Sequence, residues 1–256
     1  MRRFSLLILP IMAAQLLLWC NVSAADTLTE KRIETIIQEI DELYRSETSR
    51  GGMTMEIVTP NWERTLEMSF WSEGMEKTLI RIHSPAKERG VGTLRIEDEM
   101  WNYLPKTNKV IKIPPSMMMS SWMGSDFTND DLVKEFSLFE DYTYEAATVD
   151  NPDTSLLYID CIPREDLPIV WGHIVIAARR SDHLPVWQRY YDEKDNLMRI
   201  LEYSEYTTFD NRTIPAVMTM LPQDEDGKTV VRYTSLEFDV DLPGGTFSLR
   251  NLRTPE

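Results

Sequence analysis

Hydrophobic and polar positions along this chain follow two periods, and the switch between them divides it into elements. Ile33, Ile36, Ile37, Ile40, Leu43 and Tyr44 recur at three- and four-residue spacing, which places them on one face of a helix. Thr27-Leu28-Thr29-Glu30 just ahead has the capping-box pattern, so an amphipathic helix is expected from Leu28 to Ser46. Gly51-Gly52 breaks it, and period two takes over. Met53, Met55 and Ile57 alternate with Thr54, Glu56 and Val58. After Pro60-Asn61, the residues Trp62, Leu66, Met68 and Phe70 alternate with Glu63, Thr65, Glu67 and Ser69, so the two runs read as a hairpin with one apolar face. Thr78, Ile80 and Ile82, then Leu94 and Ile96, then Val110 to Ile113 continue the theme.

From Pro114 to about Glu145 the strand rhythm stops. Pro114-Pro115 and Gly124-Ser125 mark an excursion, and Thr128-Asn129-Asp130-Asp131-Leu132 reads as a helix start with acidic residues near the positive end of its dipole. Strand patterns resume at Ser155 to Ile162, His173 to Arg179, Pro185 to Tyr191, Leu197 to Thr207, Ile214 to Leu221 and Val230 to Val240. Polar turns at 192–196 and 224–227 join neighbours, the mark of an antiparallel meander. A sheet of about ten or eleven strands curls instead of lying flat. The expected fold is mainly β (α+β): a curved antiparallel sheet forming a partly open β-barrel with a helical lid. Neither a linker nor a repeat divides it, so residues 26–256 are expected to be a single domain.

The N-terminus changes the setting. Met1-Arg2-Arg3 precedes an apolar run from Phe4 to Trp19 and then Ser23-Ala24-Ala25, the layout of a cleaved signal peptide over residues 1–25. Export to the periplasm is therefore expected. Trp19 stands where lipoprotein processing at Cys20 would want a small residue, so acylation there is not expected. Cleavage would leave Cys161 as the one cysteine, a small buried apolar residue with no disulfide to make. It would remove Arg2 and Arg3 and no acidic residue, so 27 basic residues become 25 against 42 acidic ones, a formal charge of −17. Such a surface repels nucleic acid and anionic headgroups and suits a soluble shuttle.

Catalytic signatures are scarce. His83, His173 and His183 lie far apart and lack metal-ligand spacing, and there is no Gly-x-Ser-x-Gly, no Gly-x-x-x-x-Gly-Lys and no Cys-x-x-Cys. No enzyme activity, metal or cofactor is expected.

The informative stretch runs from Trp101-Asn102-Tyr103-Leu104-Pro105 through Met117-Met118-Met119-Ser120-Ser121-Trp122-Met123 to Gly124-Ser125-Asp126-Phe127 and Asp130-Asp131-Leu132. In order and spacing it resembles the outer-membrane lipoprotein-sorting protein family, LolA-like relatives of the periplasmic lipoprotein carrier. The resemblance extends through Leu184-Pro185, Ile214 to Met220 and Leu242-Pro243 to Phe247-Ser248-Leu249. It implies a curved sheet closed by helices around a lipid-accepting cavity. Cargo would be lipoprotein acyl chains or lipid, taken from an inner-membrane transporter and passed to an outer-membrane acceptor. The alternative is a solidly packed, non-enzymatic accessory subunit of an inner-membrane exporter complex, docked through its acidic face.

A carrier needs a greasy interior. Each buried methylene contributes ~0.8 kcal/mol, so a tail of some fifteen favours an apolar site by roughly 12 kcal/mol. Pliable methionine suits a lining that must also release its load. The candidate lipid-binding residues are Trp62, Leu66, Met68 and Phe70 on the sheet, facing either a cavity or a filled core. Met117, Met118, Met119, Trp122, Met123 and Phe127 join them, as either a core plug or a mobile gate. Arg64 shares the inward parity of Leu66, so it must be paired or reach the rim; it is a rim residue or a latch on a lid-helix carbonyl. Asp126 is expected to cap the following helix or hold the loop.

Overall fold

The computed structural model describes residues 20–44, 46–133, 137–165, 167 and 169–254. Up to position 19, the expected leader lies outside the described residues. Helix α1 spans Cys20–Asp41. The first six strands are β1 (Thr48–Val58), β2 (Glu63–Glu73), β3 (Lys77–Ser84), β4 (Gly92–Ile96), β5 (Glu99–Leu104) and β6 (Lys109–Lys112). A strap follows, with the short helices α2 (Asn129–Val133) and α3 (Leu138–Asp141). Then come β7 (Tyr142–Ala146), β8 (Leu156–Pro163), β9 (His173–Arg179), β10 (Pro185–Tyr191), β11 (Leu197–Phe209), β12 (Arg212–Pro222), β13 (Lys228–Phe238) and α4 (Leu249–Leu252).

All thirteen strands form one antiparallel sheet in the order β6-β5-β4-β3-β2-β1-β13-β12-β11-β10-β9-β8-β7. The chain meanders outward from β1 to β6, crosses to the far edge through the strap, and meanders back until β13 pairs with β1. The expected mainly β, curved antiparallel architecture holds. The sheet is longer than expected and open, with β6 and β7 as free edges. Strand β7 falls where the strand rhythm had been read as absent: it is a short edge strand in which only Tyr142 is buried, so it carries no alternating apolar signature. Helix α1 starts upstream of the Thr27 capping box and ends at Asp41, because the backbone continues helically through Thr27 and leaves no N-terminus there to cap.

Two apolar clusters occupy the concave face. Ile33, Ile36, Ile37 and Ile40 of α1 pack with Ile159, Cys161, Ile174 and Ile176 over β8 and β9, so the helical spacing found its partner. Burial there, with Asp160 and Asp41 nearby, pushes the Cys161 thiol far above its ordinary range, which leaves it an inert core residue. Met55, Ile57, Leu66, Met68 and Phe70 form the second cluster with Ile80, Ile82 and Trp122. Beneath β3 and β4 the convex face is also covered, where Leu252 of α4 packs on Leu79 and Leu94 and Arg81 donates to the Asn251 carbonyl at 2.8 Å. That cover buries Leu79 to Ile82 without alternation.

Candidate functional site

Cross-strand register lays a row of inward side chains across five strands. Tyr203 of β11 stands opposite Met218, Met218 opposite Val231, Val231 opposite Met55, and Met55 opposite Leu66. Between this floor and the covering elements lie two adjoining compartments. The first, about 190 Å³, is lined by Met53, Met55, Phe70, Ile80, Trp122 and Leu236 among others. The second, about 300 Å³, is lined by Ile40, Trp171, Tyr190, Arg199, Leu201 and Met220 among others. Tyr44, Phe127, Asp131, Met218 and Tyr233 line both, so the two share a wall. The larger reaches the lower end of the ~300–1,000 Å³ range usual for small-molecule sites.

The aromatic part of the lining is built outward from a glycine. A Cβ on Gly51 would lie 2.3 Å from the Ser235 carbonyl oxygen and 2.7 Å from the Phe70 ring, so only glycine lets that ring lie over the strand. Phe70 meets Tyr233 edge-on at 5.8 Å, and Tyr233 stacks on Tyr44 at 5.5 Å. The Tyr44 hydroxyl donates to the Pro215 carbonyl at 2.8 Å, tying the end of the α1 segment to β12. Burial raises the Tyr44 and Tyr203 phenols well above their usual range, so both stay neutral.

The strap covers the chamber, and it is bonded within itself. Trp122 and Phe127 pair through the backbone at 2.7 Å, Ser125 Oγ donates to the Trp122 carbonyl at 2.7 Å, and Asn129 donates to the carbonyls of Met117 and Ser120. Thr128 and Asp131 form the expected helix start: the Asp131 carboxylate accepts from the Thr128 N–H at 2.8 Å, and Thr128 Oγ1 accepts from the Asp131 N–H at 3.1 Å.

Side chains from four strands hold the strap down. Arg64 of β2 donates to the Met123 carbonyl and lies 3.4 Å from Glu88. Thr93 of β4 accepts the Trp122 indole N–H at 3.2 Å. Thr229 of β13 accepts the Asp126 N–H at 2.9 Å and donates to the Asp126 carboxylate at 2.6 Å. Arg199 of β11 grips Asp131 with both terminal nitrogens, at 2.6 and 2.8 Å. The Arg64 partner is thus a loop carbonyl and not a helix one. Asp126 holds the loop and does not cap α2.

The predicted residues divide. Phe70, Trp122 and Phe127 line the first compartment; Leu66 and Met68 lie in the packed layer beneath, with Met118 and Met123 against it. Trp62 precedes β2, is 44 % exposed, and carries the Arg64 guanidinium 5.2 Å above its ring, so its alternation with Leu66 did not carry it inside. Met117 and Met119 are 48 % and 49 % exposed on the strap's outer side. Sequence reasoning missed Arg199, Asp131, Tyr44, Met218 and Tyr233. Arg199 shares the parity of Leu201 and Tyr203, the same inward-charge signal that singled out Arg64.

Histidine chemistry lies elsewhere. His173 bridges Asp160 at 2.7 Å and Asp195 at 3.0 Å, which engages both ring nitrogens, and no histidine is among the residues lining the two compartments. Among the described residues no group of His, Cys, Asp and Glu could hold a metal, and no helix is long and apolar enough to cross a membrane.

The family model described as "Uncharacterized protein" matches residues 74–254. The chain belongs to that family. No curated protein matches the sequence. Among solved structures, a DUF1329 family protein from Desulfovibrio piger is 24 % identical, with a TM-score of 0.78 over 88 % of this chain and 99 % of its own. An outer membrane lipoprotein-sorting protein domain from Vibrio parahaemolyticus is 21 % identical, with a TM-score of 0.74 over 86 % and 98 %. A LolA superfamily protein from Nitrosomonas europaea is 17 % identical, with a TM-score of 0.70 over 85 % and 98 %. This chain therefore has a LolA-like fold, as the Trp101 to Leu132 resemblance implied.

Proposed function

We propose that this protein is a periplasmic carrier that holds an acyl chain of a lipoprotein or lipid in the chamber beneath the strap and passes it towards the outer membrane. The observation that carries the reading is the pair of adjoining compartments, floored by Tyr203, Met218, Val231 and Met55 on an apolar concave face. Methionines and aromatics give that floor compliance, which a shuttle needs because it must release what it binds. Closed, the chamber suits the unloaded state; a long tail would need the strap to rise and the compartments to merge. An inner-membrane transporter would supply the cargo and an outer-membrane acceptor would receive it. Catalysis has no place in this reading: the described chamber wall brings together aromatics, methionines, Arg199 and the carboxylates of Asp41, Asp130 and Asp131, with no histidine.

The test is native mass spectrometry of protein isolated from its expressing cells, beside the Met218→Trp variant. Met218 lines both compartments, and an indole there fills the shared space. Copurified lipid on the native chain, lost from Met218→Trp with folding intact, is the expected result. Lipid-free protein that also ignores added acyl probes overturns the reading.

A further inference from the structure

Among the described residues Arg199 is the one cationic side chain in the wall of the second compartment, and it is only 7 % exposed. The guanidinium is held 4.3 Å from the Trp171 ring and 4.4 Å from the Tyr190 ring, so its fork is fixed in direction before any ligand arrives. Burial works against its charge, but the Asp131 carboxylate more than compensates and raises its pKa, so the cation is permanent. Its Nε is buried and has no hydrogen-bond partner among the described residues. Asp131 belongs to the strap and Arg199 to the sheet, so the pair spans the two parts that must separate for a tail to enter.

A planar fork gripped by a carboxylate is a template for other two-oxygen anions. We propose that Arg199 is a headgroup anchor and Asp131 its built-in stand-in: the carboxylate or phosphate of an amphiphile displaces Asp131 from Arg199, and losing that contact frees the strap. In the exchange the incoming anion takes the place of Asp131 on Arg199, and Asp130, the neighbouring strap carboxylate in the same wall, leaves with the strap and so does not repel the entering head. Raising the strap without a replacement would leave the cation without that partner, so the pair disfavours neutral amphiphiles relative to anionic ones. Asp41 stays occupied during the exchange, its carboxylate accepting from Ser137 Oγ at 2.8 Å and the Leu138 N–H at 3.0 Å. This inference rests on the acyl-chamber reading and adds to it the class of cargo head: anionic and able to accept two parallel hydrogen bonds.

Calorimetric titration with tail-matched probes tests it, using lauryl phosphate, laurate and lauryl alcohol below their aggregation limits, with inorganic phosphate and acetate as tail-less arms. The native protein should bind lauryl phosphate and laurate about tenfold or more tighter than lauryl alcohol. The tail-less anions should bind far more weakly than either. Arg199→Gln should erase the preference while keeping lauryl alcohol binding, and Asp131→Asn, which removes the competitor, should tighten lauryl phosphate further. Equal affinities for the three lauryl probes in the native protein, or a preference that survives Arg199→Gln, overturns the proposal. Inorganic phosphate binding as tightly as lauryl phosphate would make this a free-anion site and also overturns it. Should no lauryl probe bind the native protein, the acyl-chamber reading itself fails, a result distinct from loss of head preference alone.

Discussion

Replacing Thr229 with valine tests whether the strap is a gate or part of the core. Thr229 is fully buried on β13, and its hydroxyl makes both of the bonds that tie Asp126 down, at 2.6 and 2.9 Å. Valine keeps the shape and suits a strand. The bond to the carboxylate is of the charge-assisted kind worth ~1.5–3 kcal/mol, and the bond from the amide is worth ~0.5–1.5 kcal/mol. Asp126 is only half-buried and can recover part of this by hydration. A net loss of about 2 kcal/mol in strap closure follows, which multiplies the open population by about 30 at ~1.4 kcal/mol per tenfold. The Arg64, Trp122 and Asp131 contacts remain, so the closed form stays dominant. Because apparent affinity scales with the fraction competent to bind, acyl-probe affinity measured by fluorescence titration should rise by up to ~30-fold. Thr229→Ser keeps both bonds and should behave as the native protein. Unchanged or weakened affinity in Thr229→Val, alongside a lowered urea midpoint, would refute the gate and make the strap ordinary core.

Other expected outcomes concern the frame around the chamber. For His173, burial lowers the pKa but the hydrogen bonds and charges of Asp160 and Asp195 more than offset it, leaving the folded value raised. Its contribution is therefore fully present below the unfolded value near 6.5 and is lost as pH rises through the folded one. Urea unfolding should show a native advantage over His173→Gln that is larger at about pH 5.5 than at about pH 9, and of only ~1 kcal/mol or less because Asp195 is exposed. Gly51→Ala should destabilise by more than about 2 kcal/mol, since its Cβ meets a backbone oxygen at 2.3 Å. Gly92→Ala, which meets only the tip of Leu252 at 2.7 Å, should cost clearly less in the same melts. Leu252→Ala should cost ~2–4 kcal/mol, and Ser248→Ala, which removes the α4 cap bonded to the Asn251 N–H at 3.1 Å, ~1 kcal/mol.

Much of the frame was legible because its signals are local. The isoleucine stripe of α1 and the alternation of Met55, Leu66, Met68 and Phe70 each name a face, and each face is buried. Strands β9 and β10 begin and end where their apolar runs do. Legibility stopped where burial depends on distant chain. Nothing near Leu79 announces that α4, far along the sequence, will cover the outer side of β3. Trp62 kept the parity of the strand that follows but lies outside it, so solvent and Arg64 claim its ring. The site was harder still. Arg199 and Asp131 are separated by 68 positions and meet only because the strap crosses the sheet, although parity alone could have marked Arg199 as inward.

The central claim is that a hydrocarbon tail occupies the space between strap and sheet. Photo-crosslinking with a fatty acid carrying a terminal diazirine, followed by peptide mapping, reads the tail's position directly. The expected labels fall on Met218, Tyr233, Phe127 and their neighbours in the chamber wall. Labelling confined to the convex face around Trp71 and Leu79, or spread evenly over exposed residues, would contradict the account.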